Sequence, residues 1–210
     1  MSARYAFFVL AAIVSAGVPA QSQTHVTIHA ALVRSGPPDP FPLAYEPVMG
    51  IGIGAGVDRV VARLGPLAPR AGLDLGLTAA GRKDVLVTED FRQTIYVRPL
   101  YLTAAPTFAL GLAAGPVRPY VLGGSVAGVK LAERTSGRDD VTGESIGSAT
   151  TDDFPDLVSG LAAGVGVHVP DAFPLGGLRV EARASSLGGL NAPSRYTDQS
   201  AFELRAVLAL

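Results

Sequence analysis

The stretch MGIGIGAGVD, residues 49–58, places a glycine at every second position: Gly50, Gly52, Gly54 and Gly56 alternate with Met49, Ile51, Ile53, Ala55 and Val57. Glycine weakens a strand interior and is unfavourable in a helix. Four on one side of one segment therefore need a reason. A dinucleotide-binding loop requires G-x-G-x-x-G between a strand and a helix, so that the pyrophosphate meets the helix N-terminus. Here the spacing is wrong and no helical period follows. The period is two, which is that of a β-strand with one bare face and one apolar face.

The same period recurs along the chain. Leu73, Leu75 and Leu77 alternate with Gly72, Asp74, Gly76 and Thr78. Leu178, Val180, Ala182 and Ala184 alternate with Arg179, Glu181 and Arg183, and Phe202, Leu204, Ala206 and Leu208 with Glu203 and Arg205. Val26, Ile28, Ala30 and Leu32 alternate with His25, Thr27 and His29, and 157–169 does likewise around Gly160, Gly164, Gly166 and His168. Two further strands, near 92–110 and 118–132, are less regular. Pro99 and Pro106 predict a bent or shortened strand, and Gly123-Gly124 a bulge in the other. The expected strands are thus 24–34, 48–62, 68–79, 92–110, 118–132, 157–169, 177–187 and 201–210.

The connections alternate in length. Those after the second, fourth and sixth strands are short and built on Gly and Pro. Those after the first, third, fifth and seventh are long; the third reads AGRKDVLVTEDF and the fifth covers 133–156, with Asp139, Asp140, Glu144, Asp152, Asp153 and Asp156 in a solvated, mobile loop. An even strand number with short turns at one end and long loops at the other is the pattern of an outer-membrane barrel. The faces agree with it. One is apolar throughout, while the other is too poor in charge and too rich in glycine for a good solvated exterior. A soluble lipocalin-like barrel is the architectural rival.

At 210 residues the chain suits one domain. A net charge of −1 gives no reason to expect nucleic acid as a partner. The absence of cysteine excludes disulfides, thiolate metal sites and a cysteine nucleophile. Residues 1–20 have a basic residue, Arg4, then an apolar run of about 14 residues and a small-residue end at Val18-Pro19-Ala20. This order predicts a secretory signal peptide cleaved near Ala20/Gln21, leaving 21–210 as the barrel.

GPVRPYVLGGSVAG at 115–128, LRVEARAS at 178–185 and the C-terminal strand resemble the small bacterial outer-membrane β-barrel proteins with OmpA-like barrel domains. The first resembles that family's short turn followed by R-P-Y-V-G-x-G, and the second its V-E-x-R strand. The resemblance implies an all-β, eight-stranded antiparallel up-and-down transmembrane barrel in the bacterial outer membrane. It implies a monomer, with outer-membrane lipid and lipopolysaccharide as surroundings and the barrel-insertion machinery as a partner in biogenesis. The chain departs from the family in ending on Leu210 rather than an aromatic residue and in having 7% aromatics and no Trp. Interfacial girdles would then draw on Tyr45, Tyr96, Tyr101, Phe108, Tyr120, Phe173, Tyr196 and Phe202.

Asp74, Arg98, Arg179, Glu181, Arg183, Glu203 and Arg205 fall on the inward parity. Inside an eight-stranded barrel, side chains fill the interior and buried charge must be paired. The expectation is an Arg/Asp/Glu network that plugs the lumen. A pore lined by a cationic stripe is the alternative. His25, His29 and His168 also face inward; the first two could chelate a metal, but no carboxylate flanks them, and they read as luminal polar residues. Some small barrels deacylate or acylate envelope lipids with a His and a Ser on the outer rim. The H-x-S pattern is missing here, since His168 precedes Val169-Pro170. No catalytic residue, metal or cofactor is expected. The resulting reading is a structural or surface-interaction protein, with a narrow porin or transport barrel and a lipid-modifying enzyme as its alternatives.

Overall fold

Alternation of apolar and small or polar residues yields strands throughout. The computed structural model describes residues 24–36, 45–87, 92–150, 154–174, 176–189 and 199–210; the expected signal peptide, 1–20, lies outside them. The strands are β1 Thr24–Gly36, β2 Tyr45–Val60, β3 Leu67–Ala79, β4 Arg82–Val87, β5 Arg92–Leu112, β6 Arg118–Asp139, β7 Ser145–Ala149, β8 Leu157–Phe173, β9 Gly176–Gly189 and β10 Gln199–Ala209.

All pairings are antiparallel and the sheet closes on itself. β1 pairs with both β2 and β10, β10 with β9, β9 with β8, β8 with β6, and β6 with β5. β3 and β4 lie end to end between β2 and β5, each pairing with both. β7 and β8 likewise share the place beside β6. The ring therefore has eight positions, and the fold is the up-and-down barrel its period implies.

Two long connections are shorter than the sequence suggests. Arg82–Val87, expected as loop, continues the third position as β4, because the upper ends of β2 and β5 both offer it a ladder. β6 runs on to Asp139, seven residues past the expected end at 132, and turns back into β7. The Asp139 side chain stabilises that turn by accepting from the backbone N–H groups of Val141 and Thr142 at 2.8 and 3.0 Å. β5 runs unbroken through Pro99 and Pro106. The extra residue in β6 is Leu131, between Lys130 and Ala132, rather than at Gly123-Gly124. At the opposite end, the tight 61–66 turn closes with a Leu64–Leu67 hydrogen-bonded pair and needs Gly65 at φ 61°.

The barrel is inside out relative to a soluble protein. Met49, Ile51, Ile53, Val165 and Leu161 point outward, Ile51 at 65% and Leu161 at 73% exposure. Thr27, His29, Arg179, Glu181, Arg183 and Arg205 are buried within. The pattern changes towards the loop end. There Val33 and Val97 are buried beside Thr94 and Glu133, while Arg34, Arg98 and Arg134 are exposed. An apolar belt thus girdles the middle of the wall, and above it the outer face carries arginines while the inner face mixes valines with the buried Thr94 and Glu133.

Candidate functional site: the ionic layer of the lumen

Alternation on β9 sends Arg179, Glu181 and Arg183 inward together, and alternation on β10 does the same for Glu203 and Arg205. Their ladder registers Glu181 against Arg205 and Arg183 against Glu203. From this wall the arginines reach across the lumen. Arg183 donates to Glu181 Oε2 at 2.8 Å through Nε and to Asp74 Oδ2 at 2.9 Å through Nη1. Arg205 donates to Glu203 Oε2 at 2.6 Å and lies 3.4 Å from the same Asp74 oxygen. Arg179 grips both carboxylate oxygens of Asp58 on β2. Tyr120 on β6 donates its hydroxyl to Glu181 Oε1 at 2.5 Å, and Arg70 of β3 stacks on the Tyr120 ring, 4.6 Å from its centre.

The structure thus brings six of the seven expected residues, Asp74, Arg179, Glu181, Arg183, Glu203 and Arg205, into one layer. Arg98 is not among them. Its neighbours Val97 and Pro99 are buried, so Arg98 points out of the barrel over the Tyr96 ring, 5.4 Å from its centre. Arg98 shares its parity on β5 with Leu102 and Phe108, which face outward, while Val97, Pro99, Tyr101 and Ala105 face inward, so the alternation of β5 itself places Arg98 outside.

Sequence reasoning missed Asp58, Arg70 and Tyr120. Asp58 continues the parity of Gly56 and closes the very stretch in which the glycines stand. Tyr120 was expected at an interface, as was Tyr101; both are buried instead. Phe108, Phe173 and Phe202 do face outward at about half exposure. Tyr196 lies outside the described residues. With Arg70 and Asp58 included, the layer holds four arginines (70, 179, 183, 205) against four carboxylates (58, 74, 181, 203). Equal numbers of opposite charges suit a packed, internally neutral layer better than a cationic stripe.

The glycines of β2 make this layer fit. A Cβ on Gly56 would lie 2.5 Å from Asp74 Oδ1, and one on Gly54 would lie 2.6 Å from the His29 ring and 2.3 Å from the Leu75 carbonyl. The bare face therefore accommodates His29 and Asp74. His29 is buried, and its Nδ1 has no hydrogen-bond partner among the described residues. Above the layer a small cavity of about 50 Å³ is lined by His29, Val33, Ala105, Val158, Leu187 and Ala201 among others. His25 and His168 lie at the short-turn end beside Arg70 and Arg118. Among the described residues no three of His, Asp and Glu converge on a metal-sized site.

Part of the fifth connection is fastened at the barrel mouth. Phe154 is buried, its N–H donates to Glu133 Oε2 at 3.0 Å, and Lys130 Nζ reaches the Phe154 carbonyl at 2.5 Å and Glu133 at 3.2 Å. Tyr101 donates to the Pro155 carbonyl at 2.8 Å, and Lys130 pairs with Asp156 at 3.3 Å. The solvated loop expected over 133–156 is therefore ladder through 139, hairpin through 149, and a strap at 154–156.

No family model matches the chain, and no curated protein does. Solved structures do. The outer membrane enzyme PagL aligns with a TM-score of 0.57 at 15% identity, over 87% of this chain and 98% of its own. Ail, the attachment invasion locus protein of Yersinia pestis, aligns over 90% and 99% at 14% identity and a TM-score of 0.42. Neisserial surface protein A aligns over 89% and 97% at 15% identity and a TM-score of 0.43. At such identities the PagL likeness speaks for the fold alone: a small, closed, antiparallel eight-stranded barrel.

Proposed function

We propose that the protein is an integral barrel of the bacterial outer membrane without catalytic activity, which serves the envelope structurally or through its loops and whose lumen is closed by the ionic layer. One observation carries this reading. The layer crosses the bore from β9 and β10 to β2, β3 and β6; Arg179, Arg183 and Arg205 pair with its carboxylates, and Arg70 packs on the Tyr120 ring. The exposed apolar belt supports a lipid surround, since a soluble barrel would leave those residues wet. The three histidines all belong to the lumen, away from the outer wall where a lipid acyl chain would lie.

Planar-bilayer recording of the refolded protein tests the closed lumen. The expected trace has no ohmic steps at neutral pH. Regular steps would overturn the plug and support a narrow porin. Mass spectrometry of lipid A from expressing cells tests the absence of catalysis; unchanged acylation is expected, and a lost or added chain would replace this reading with a lipid-modifying enzyme.

A further inference from the structure

Arg98 on β5 and Arg134 on β6 are direct partners in the β5–β6 ladder. Both side chains are exposed, and the residues flanking them on the inner face, Val97, Pro99 and Glu133, are buried. Direct cross-strand partners share a face with their Cβ atoms about 5 Å apart, and like charges so placed repel. Among the described residues nothing beside them offsets this. Their outward neighbours along the two strands are Tyr96, Leu100, Ala132 and Ser136, none of them charged. Among the described residues neither arginine has a carboxylate partner. An anion between the two would turn this repulsion into a favourable contact for both.

The position says which anion. One pleat below the pair lie Leu100 and Ala132, followed by the exposed Leu102, Leu131 and Val129 of the apolar belt. One pleat above, Tyr96 holds the Arg98 guanidinium against its ring. A guanidinium stacked in this way keeps its in-plane N–H groups for an oxyanion, and two of them match the oxygens of a phosphate. On the membrane reading, the pair stands where acyl chains end and headgroups begin.

We propose that Arg98 and Arg134 form a binding site for a lipid-borne phosphate on the outer wall, at the loop-side edge of the apolar belt. The proposal rests on the membrane reading given above, and goes beyond it by naming the residues and the chemistry of one lipid contact. Arg34, exposed on β1 above Leu32, stands on another part of the ring and is not part of this site.

The test uses the full barrel in micelles of an uncharged detergent. It is titrated with diphosphorylated lipid A, with the same lipid after phosphate removal, and with inorganic phosphate, and bound lipid is counted by native mass spectrometry. The parent is expected to retain the diphosphorylated lipid and to lose it on dephosphorylation. The variant carrying both R98Q and R134Q should bind it about tenfold more weakly or worse. R63Q, which removes one exposed charge at the opposite end, should bind as the parent does. Equal binding by parent and double variant overturns the site, as does an equal loss in R63Q. Inorganic phosphate competing at the same concentration as the lipid overturns the lipid as its occupant. A chain that remains soluble and takes up no detergent overturns the membrane reading itself, whereas an inserted barrel indifferent to phosphate overturns only this proposal.

Discussion

Gly54 and Gly52 belong to the same bare face, yet substitution should separate them sharply. A Cβ on Gly52 would meet the Ala31 Cβ and the Thr78 hydroxyl at 3.5 Å, an ordinary contact. A Cβ on Gly54 would fall 2.3 Å from the Leu75 carbonyl and 2.6 Å from the His29 ring. The carbonyl is fixed in the β2–β3 ladder, and the ring is buried, so neither yields without moving the wall. Gly→Ala at a compatible site is stabilising by about 0.4–1 kcal/mol, through the lost freedom of the unfolded chain. Overpacking costs about 1–3 kcal/mol. Gly52→Ala should therefore unfold no more easily than the parent. The unfolded-chain gain is common to both variants, so Gly54→Ala should be weaker than Gly52→Ala by the overpacking cost alone, about 1–3 kcal/mol, or roughly five- to 150-fold in the unfolding equilibrium. Urea titration of the barrel in lipid, followed by far-UV circular dichroism because there is no Trp to report, measures both. Equal midpoints for the two variants would show that His29 and the β2–β3 ladder do not crowd this face, and the account of the glycines would fail.

Other expectations follow from the polar groups. Glu181→Gln should destabilise by about 3 kcal/mol, the low end for breaking a buried pair, because Asp74 still holds Arg183. Replacing Glu181 and Arg183 together by Leu and Met should recover part of that loss; a double variant as weak as the sum of the singles would mean the two act independently. At the hairpin, the backbone N–H groups of Thr142 and Val141 hold the Asp139 carboxyl below its ordinary value of 3.8. The folded group has the lower pKa, so its contribution is present above the unfolded value and fades as pH falls through the folded one. Hydrogen exchange at Val141 and Thr142, corrected for intrinsic rates, should lose protection below about pH 4; Asp139→Asn should flatten that dependence. Lys130→Met should release the strap, seen as faster exchange at Phe154 with the β8–β9 ladder unchanged.

Much of this architecture is legible in the sequence because the wall of this barrel has two chemically opposite faces. Asp74, Arg179, Glu181, Arg183, Glu203 and Arg205 announce the inside because charge that alternates with an uncharged apolar face reads as inward. That same rule misplaces Arg98. Beyond the belt the outer face is free to be charged, and Val33 and Val97 take the interior. The local signal that corrects it is parity: on β5 Arg98 falls in step with Leu102 and Phe108, which face outward. Tyr120 was misread for a related cause: an aromatic with a hydroxyl suits an interface as well as it suits the Glu181 carboxylate. β4 was hidden because Gly81 and the charges of Arg82, Lys83 and Asp84 mimic a loop, and only the free upper edges of β2 and β5 make RKDVLV a strand.

The membrane surround is tested most directly by fractionating expressing cells on a density gradient. The account predicts that the chain sediments with the outer membrane, resists salt and carbonate washing, and is released only by detergent. Recovery in the periplasmic fraction as a soluble protein without detergent would contradict it.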